Sequence, residues 1–146
     1  MPIKGVKRVR ERLKQELKEI TDKKTHEVLW RVGMLAGGFA ANMTPVDTGF
    51  LINSQFQYIG STAEGMQLRL GYTARYAEWV HNMPGKLKGQ PREHFGKTSE
   101  GVEFGGGTGK GKYWDPNAEP EFLRKAFEDP NNADDIYKEI VEGYKT

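Results

Sequence analysis

The residues best suited to chemistry in this sequence are His26, His81 and His94, the run GGGTGKGK from Gly105 to Lys112, and the adjacent carboxylates Asp134 and Asp135. The Gly-rich run invites a phosphate-loop reading, in which backbone N–H groups cradle phosphates and a Lys reaches them. Such a loop needs a Gly, four residues, then Gly-Lys-Ser/Thr, set between a buried strand and a helix. Counting back from Gly109-Lys110 puts Phe104 at the first Gly, and Gly111 stands where a hydroxyl would bind magnesium. No strand pattern feeds the run and no helical pattern follows it. It reads as a flexible, basic loop tip.

The histidines form no pair at ligand spacing and fit no zinc pattern. His26 falls near the apolar stripe of a helix, at its surface or an interface; His81 ends a short run, and His94 lies in a loop. The chain has no Cys, which removes disulfides, thiolate metal sites and Cys nucleophiles together. Ser54 and Ser61 lack a nucleophile-elbow context. Asp134 and Asp135 begin a helix, where acids favour the dipole. No constellation reads as an active site, so no catalytic residue, metal, cofactor or enzyme activity is expected. Lys86, Lys88, Arg92, Lys97, Lys110 and Lys112, with Phe95 and Phe104 among them, could touch phosphates. Glu93, Glu100 and Glu103 share the stretch. No recognition helix or stacking platform accompanies them, which leaves passive contact with DNA.

The elements that must carry these residues follow from the totals and the pattern. A chain of 146 residues is about one domain with a modest core. Hydrophobic residues make up 36%, charged residues 29%, and Gly numbers 18. That composition suits one compact core plus a part that packs little by itself and is ordered by partners. The net charge of +2 is too small to point to nucleic acid. No apolar h-region follows the basic start MPIKGVKRVRER, and no run nears the ~18 apolar residues of a membrane span. The expectation is a soluble protein made in a cytoplasm, with no membrane partner. The two ends carry opposite charge. Residues 1–24 hold nine positive and four negative side chains, and residues 115–146 hold four positive and nine negative. They can attract within one chain or between neighbouring copies.

Val6, Val9, Leu13, Leu17, Ile20, Val28, Val32, Leu35, Phe39 and Met43 recur in steps of three and four, apart from one gap where Lys24 falls on the stripe. This is a helical period. It fits one helix or two, the break falling near Thr21-Asp22. A continuous helix would span ~55 Å, so part of it would need a partner surface. Its second half holds Gly33, Ala36, Gly37, Gly38, Ala40 and Ala41. A helix that accepts glycines at ~1 kcal/mol each is expected to pack closely against another backbone, the alternative being that it ends early.

The corner TPVDTG ends this helix. Pro45 disfavours helical geometry at Thr44, Val46 is an apolar anchor, Asp47 can bond backbone N–H groups, and Gly49 tolerates positive φ. It reads as a rigid structural turn rather than a catalytic Asp47. FLINSQFQYIG reads as a strand with Leu51, Asn53, Phe56 and Tyr58 in imperfect alternation. GMQLRLGY sets Met66, Leu68, Leu70 and Tyr72 against Gln67 and Arg69, a half-buried strand. Ser61 to Gly65 links the two as a hairpin. ARYAEWVHN is a strand or a short helix with Tyr76, Trp79 and Val80 as its apolar members. Residues 82–112 are too long and too aperiodic for an ordinary connection and are expected as a flexible loop or arm. KYW gives a last short strand. Helices are expected from Glu119 to Glu128, with Phe122, Leu123, Ala126 and Phe127 apolar, and from Asp134 to Tyr144, capped by the Asn131–Asp135 run, with Ile136, Ile140 and Val141 inward. The fold class is α+β: a long N-terminal helix packed on a small antiparallel sheet, a long Gly-rich loop and C-terminal helices. Residues 1–146 form a single domain, with 1–27 as a helical extension.

In this order the pieces resemble the tail-component family of tailed phages, whose members are minor tail, tail-completion or neck proteins and which counts phage lambda's minor tail protein Z among its relatives. The residues that carry the resemblance are Pro45, Val46, Asp47, Thr48, Gly49 and Leu51, then Tyr76, Ala77 and Val80, then Pro120, Phe122, Leu123 and Ala126. It covers roughly Val28 to Glu128. The chain departs from the pattern at Phe50, in the length of 82–112 and in its final acidic helix. The resemblance implies assembly rather than catalysis: a ring of identical subunits at the head–tail junction of a virion, built in the host cytoplasm. Its neighbours would be head-closure, connector and tail proteins, with DNA passing through. Lys14, Lys18, Lys86, Lys88, Arg92, Lys110 and Lys112 are the expected subunit or DNA contacts. The basic N-terminal helix of one copy would meet the acidic C-terminal helices of the next. The rivals are a tail terminator or head-closure ring, and a small DNA-binding protein.

Overall fold

A computed structural model describes residues 5–46, 49–86, 89–90 and 115–145. The fold is α+β. Its elements are α1 (Val6–Met43), α2 (Phe50–Asn53), β1 (Gln55–Thr62), β2 (Gly65–Tyr72), α3 (Ala77–His81), α4 (Phe122–Glu128) and α5 (Pro130–Tyr144). The strands pair antiparallel, from Gln55 opposite Tyr72 to Thr62 opposite Gly65.

The helical stripe forms one continuous helix, with no break at Thr21-Asp22. The Thr21 hydroxyl donates back to the Leu17 carbonyl at 2.8 Å, so it stays within the helix rather than capping a new one. The helix ends at Thr44, which is extended as a residue before proline must be. Only the second half of α1 meets the rest of the molecule. Val28, Val32, Ala36 and Ala40 are buried there, while Val6, Val9, Leu13, Leu17 and Ile20 are all about half exposed or more.

The glycines of α1 mark the close approach to the sheet. A Cβ on Gly33 would overlap the side-chain amide of Gln57, and one on Gly37 would stand 3.0 Å from Gln55 Oε1. The sheet face toward α1 is thus built from Gln55, Gln57 and Ile59 with Met66, Leu68, Leu70 and Tyr72, all partly buried. The β2 alternation is as expected. The β1 expectation needs correcting twice. Leu51 and Asn53 belong to the helical turn α2, begun by Gly49 at φ 83, and Phe56 and Tyr58 are exposed on the outer face. Glutamines take the inner face because the α1 glycines leave room for their amides.

The remaining corrections are local. The hairpin link is the two residues between Thr62 and Gly65 rather than the whole of Ser61–Gly65. ARYAEWVHN gives the short helix α3. The helix expected from Glu119 begins at Phe122, because Glu121 takes a left-handed conformation at φ 54. The last helix begins at Pro130, not Asp134. Asp129 caps it, its Oδ1 accepting from Asn131 N at 3.1 Å, and proline suits the first helical position. Within α5, Ile136 is partly buried and Gly143 buried, whereas Ile140 and Val141 are each 37% exposed rather than inward. The run KYW lies outside the described residues, as does most of 82–112.

Candidate assembly surfaces

Leu51, Ala74 and Phe122 form a buried cluster, with Met43, Tyr72, Ala77, Val80 and Leu123 packed on it. Phe122 is 1% exposed, a burial worth ~1.5–3 kcal/mol. Its ring meets Tyr72 edge-on at 5.3 Å and His81 at 5.1 Å. The three pieces singled out in the sequence therefore converge. The corner supplies Leu51, the third run Ala77 and Val80, and the late helix Phe122 and Leu123. Ala126 is buried as well. Pro45, Gly49 and Pro120 are partly buried, whereas Val46 and Tyr76 are exposed. Tyr76 lies 6.1 Å from the Phe50 ring. Asp47 and Thr48 lie outside the described residues.

Hydrogen bonds tie these pieces to each other. Glu119 N donates to Met43 O at 2.9 Å, and Glu121 N to His81 O at 2.8 Å. Val46 N donates to Asp115 Oδ2 at 3.0 Å. The His81 ring accepts from Arg124 N at its Nε2, 3.4 Å away, which places its proton on Nδ1, toward Asn82 Oδ1 at 3.3 Å. His81 is thus a structural histidine, and His26 is exposed on α1. A second network, which the sequence did not reveal, sits under the corner. Gln55 Nε2 donates to Tyr72 Oη at 2.9 Å and to Gly37 O at 3.0 Å. Thr44 Oγ1 lies 2.7 Å from Tyr72 Oη and donates to Ala40 O at 2.7 Å. The sequence marked Thr44 only as the helix stop, because Tyr72, the partner that builds the network, lies in another element.

The charged side chains are placed as follows. Lys14 and Lys18 stand on the exposed first half of α1, and Lys86 is exposed beyond α3. Lys88, Arg92, Lys110 and Lys112 lie outside the described residues, as do His94 and the run Gly105–Lys112. Asp134 and Asp135 are solvated on α5. Among the described residues, no three of His, Asp and Glu gather closely enough to hold a metal ion. No described helix is long and apolar enough to cross a membrane. A shallow depression at the hairpin tip is lined by Thr62, Ala63, Glu64, Gly65, Met66 and Gln67. The Thr62 hydroxyl there is engaged in the turn, donating to Gly65 O at 2.9 Å.

What the molecule presents instead are two surfaces suited to contact. One is the first half of α1, which extends roughly 28 Å past the residues that α5 covers. The other is the outer face of α5, where Tyr137, Ile140, Val141 and Tyr144 are exposed. Compared with protein-family models, with curated proteins and with solved structures, the chain matches none.

Proposed function

We propose that this chain is a structural virion protein of the phage head–tail junction, in a neck or tail-completion position. Copies assemble as a ring that joins tail to head and lets DNA pass. It works without catalysis or cofactor, and its neighbours are connector or head-closure proteins on one side and tail proteins on the other. The observation that carries the reading is the convergence of the three motif pieces on Leu51 and Phe122. Residues far apart in sequence that resemble one family in order are here the packing partners of one core. The extended first half of α1 supports it further, since a half-bare apolar stripe is what a subunit ordered by its neighbours carries.

The test is to mix the purified protein with tailless heads and, separately, with headless tails, and to recover the particles by sedimentation. Capture by one of the two, with restored joining to the other, is the expected result. A chain that ignores both particles and binds short duplex DNA in a salt-sensitive way would replace this reading with that of a DNA-binding protein.

A further inference from the structure

The bare half of α1 is a narrow seam rather than a broad face. Its apolar residues Val6, Val9, Leu13, Leu17 and Ile20 step by three, four, four and three. At ~100° per residue they fall within an arc of roughly 80°. All five are about half exposed or more. A helix lying on a globular core buries a stripe of ~100° or wider, whereas a narrower one suits a single facing helix. The seam begins where the fold leaves off. The end of α5 stands against Thr25, with Tyr144 Oη 2.8 Å from the Thr25 hydroxyl, and the partly buried Lys24 closes the seam at that end.

The two flanks of the seam differ in charge. On one, Arg10, Lys14, Lys7 and Lys18 follow within the next ~100° of arc. All four are exposed, and none meets a carboxylate among the described residues. The other flank holds Glu16, Lys23, Arg12 and Glu19 and is neutral; there Arg12 pairs with Glu16 at 3.9 Å. This asymmetry selects the occupant. Two such seams set antiparallel would bring basic flank against basic flank. Set parallel, they would bring a basic flank against a neutral one, while each segment from Val6 to Lys24 carries eight positive and four negative side chains. The last helix of a second copy fits no better. Its Glu139 is held by Arg31 of its own chain at 3.8 Å. Asp135 and Glu142 stand ~100° or more around α5 from the exposed Tyr137, Ile140, Val141 and Tyr144, so that only Asp134 borders that face. We infer that the seam takes one helix of a different protein, apolar along its contact line and acidic along the flank that faces Arg10, Lys14 and Lys18. The apolar line supplies the burial, and the carboxylates select the partner and its direction. The inference deepens the junction reading by naming the chemistry of a neighbour, but the contact itself does not depend on a virion.

The test uses the full chain and two synthetic helical peptides of about three heptads with leucine along one seam. One peptide carries glutamate on both flanks and the other lysine, so that neither pairs with itself. Fluorescence anisotropy of the labelled peptide reads binding. The glutamate peptide is expected to bind, more weakly as salt rises, and the lysine peptide is not. Lys14→Glu with Lys18→Glu is expected to weaken the glutamate peptide roughly tenfold and to strengthen the lysine one. Leu13→Asp with Leu17→Asp is expected to bind neither, and circular dichroism checks that both variants are folded. Equal binding of the two peptides, or binding of neither, would overturn the inference. So would glutamate-peptide binding that the Leu13→Asp, Leu17→Asp variant keeps. Self-association of the wild type, read by light scattering and lost in that variant, would give the seam to a second copy instead. Binding to phosphatidylglycerol vesicles in the absence of peptide binding would give it to a lipid surface. Peptide binding by a chain that neither heads nor tails capture would sink the virion placement and leave the seam standing. Capture of a chain that binds neither peptide would do the reverse.

Discussion

Gly143 of α5 lies directly over Val28 of α1, so close that a methyl group on Gly143 would stand 2.6 Å from Val28 Cγ2. Val28 is 3% exposed. This contact is where the last helix is pressed onto the first, and it sets how far along α1 the covered region reaches. Beyond it, toward the N-terminus, the apolar stripe is bare.

Adding the methyl should therefore destabilise the protein. A β-branched side chain in a helix has essentially one rotamer, so Val28 cannot swing aside. Gly143→Ala is expected to cost ~1–3 kcal/mol by overpacking, despite the better helix propensity of alanine. Gly38→Ala is the control. Nothing lies within 4 Å of a Cβ there, so helix propensity alone acts and stability should rise by roughly 0.5–1 kcal/mol. Urea denaturation followed by circular dichroism reads both. Equal effects at the two sites would contradict the close approach.

Gln57 Nε2 is buried, with no hydrogen-bond partner among the described residues. An unpaired buried amide costs ~1–3 kcal/mol. Gln57→Met keeps the length of the side chain and removes the polar atoms against Gly33. It should raise the melting temperature. A lower one would mean that the amide is satisfied in solution.

Thr44 is 2% exposed and accepts the Tyr72 hydroxyl while donating to Ala40 O. Thr44→Val keeps the shape and the extended backbone but leaves Tyr72 Oη without its acceptor. The expected loss is ~1–3 kcal/mol. Adding Tyr72→Phe should cost less in this background than in the wild type, because the two residues share one bond. Additive losses in a double-mutant cycle would show that the network has no energetic coupling.

The two halves of α1 should differ in stability in the dissociated chain. Amides from Val6 to Ile20, on the bare half, are expected to exchange hydrogen far faster than those from Val28 to Ala40, which the rest of the fold holds. Leu17→Ser should change monomer stability by no more than ~0.5 kcal/mol, whereas Phe122→Ala should cost ~3–5 kcal/mol. Uniform protection along the helix would mean that the first half is covered within one copy.

Some of this architecture was fixed locally and could be read without a structure. The period of three and four along α1, the stop at Thr44 before Pro45 and the alternation of β2 depend on residues next to one another, so the pattern alone carries them. The glycines of α1 announced a close approach, because a helix tolerates them at a cost that packing offsets, but what fills the space at Gly33 and Gly37 is the side chains of Gln57 and Gln55 rather than a second backbone. The excess of positive charge at one end and negative charge at the other was visible by counting. What the pattern missed depended on partners distant in the chain. The imperfect alternation of Phe56 and Tyr58 did not say which face of β1 is inner; the inner positions went to Gln55 and Gln57, because Gly37 offers a carbonyl and Gly33 offers space. Ile140 and Val141 read as inward until α5 was set against α1 and turned them outward. Only tertiary structure brought Leu51, Val80 and Phe122 into one cluster and left Val6, Val9, Leu13, Leu17 and Ile20 exposed. A sequence states which faces are apolar; which of them is left uncovered is decided by where the other elements dock.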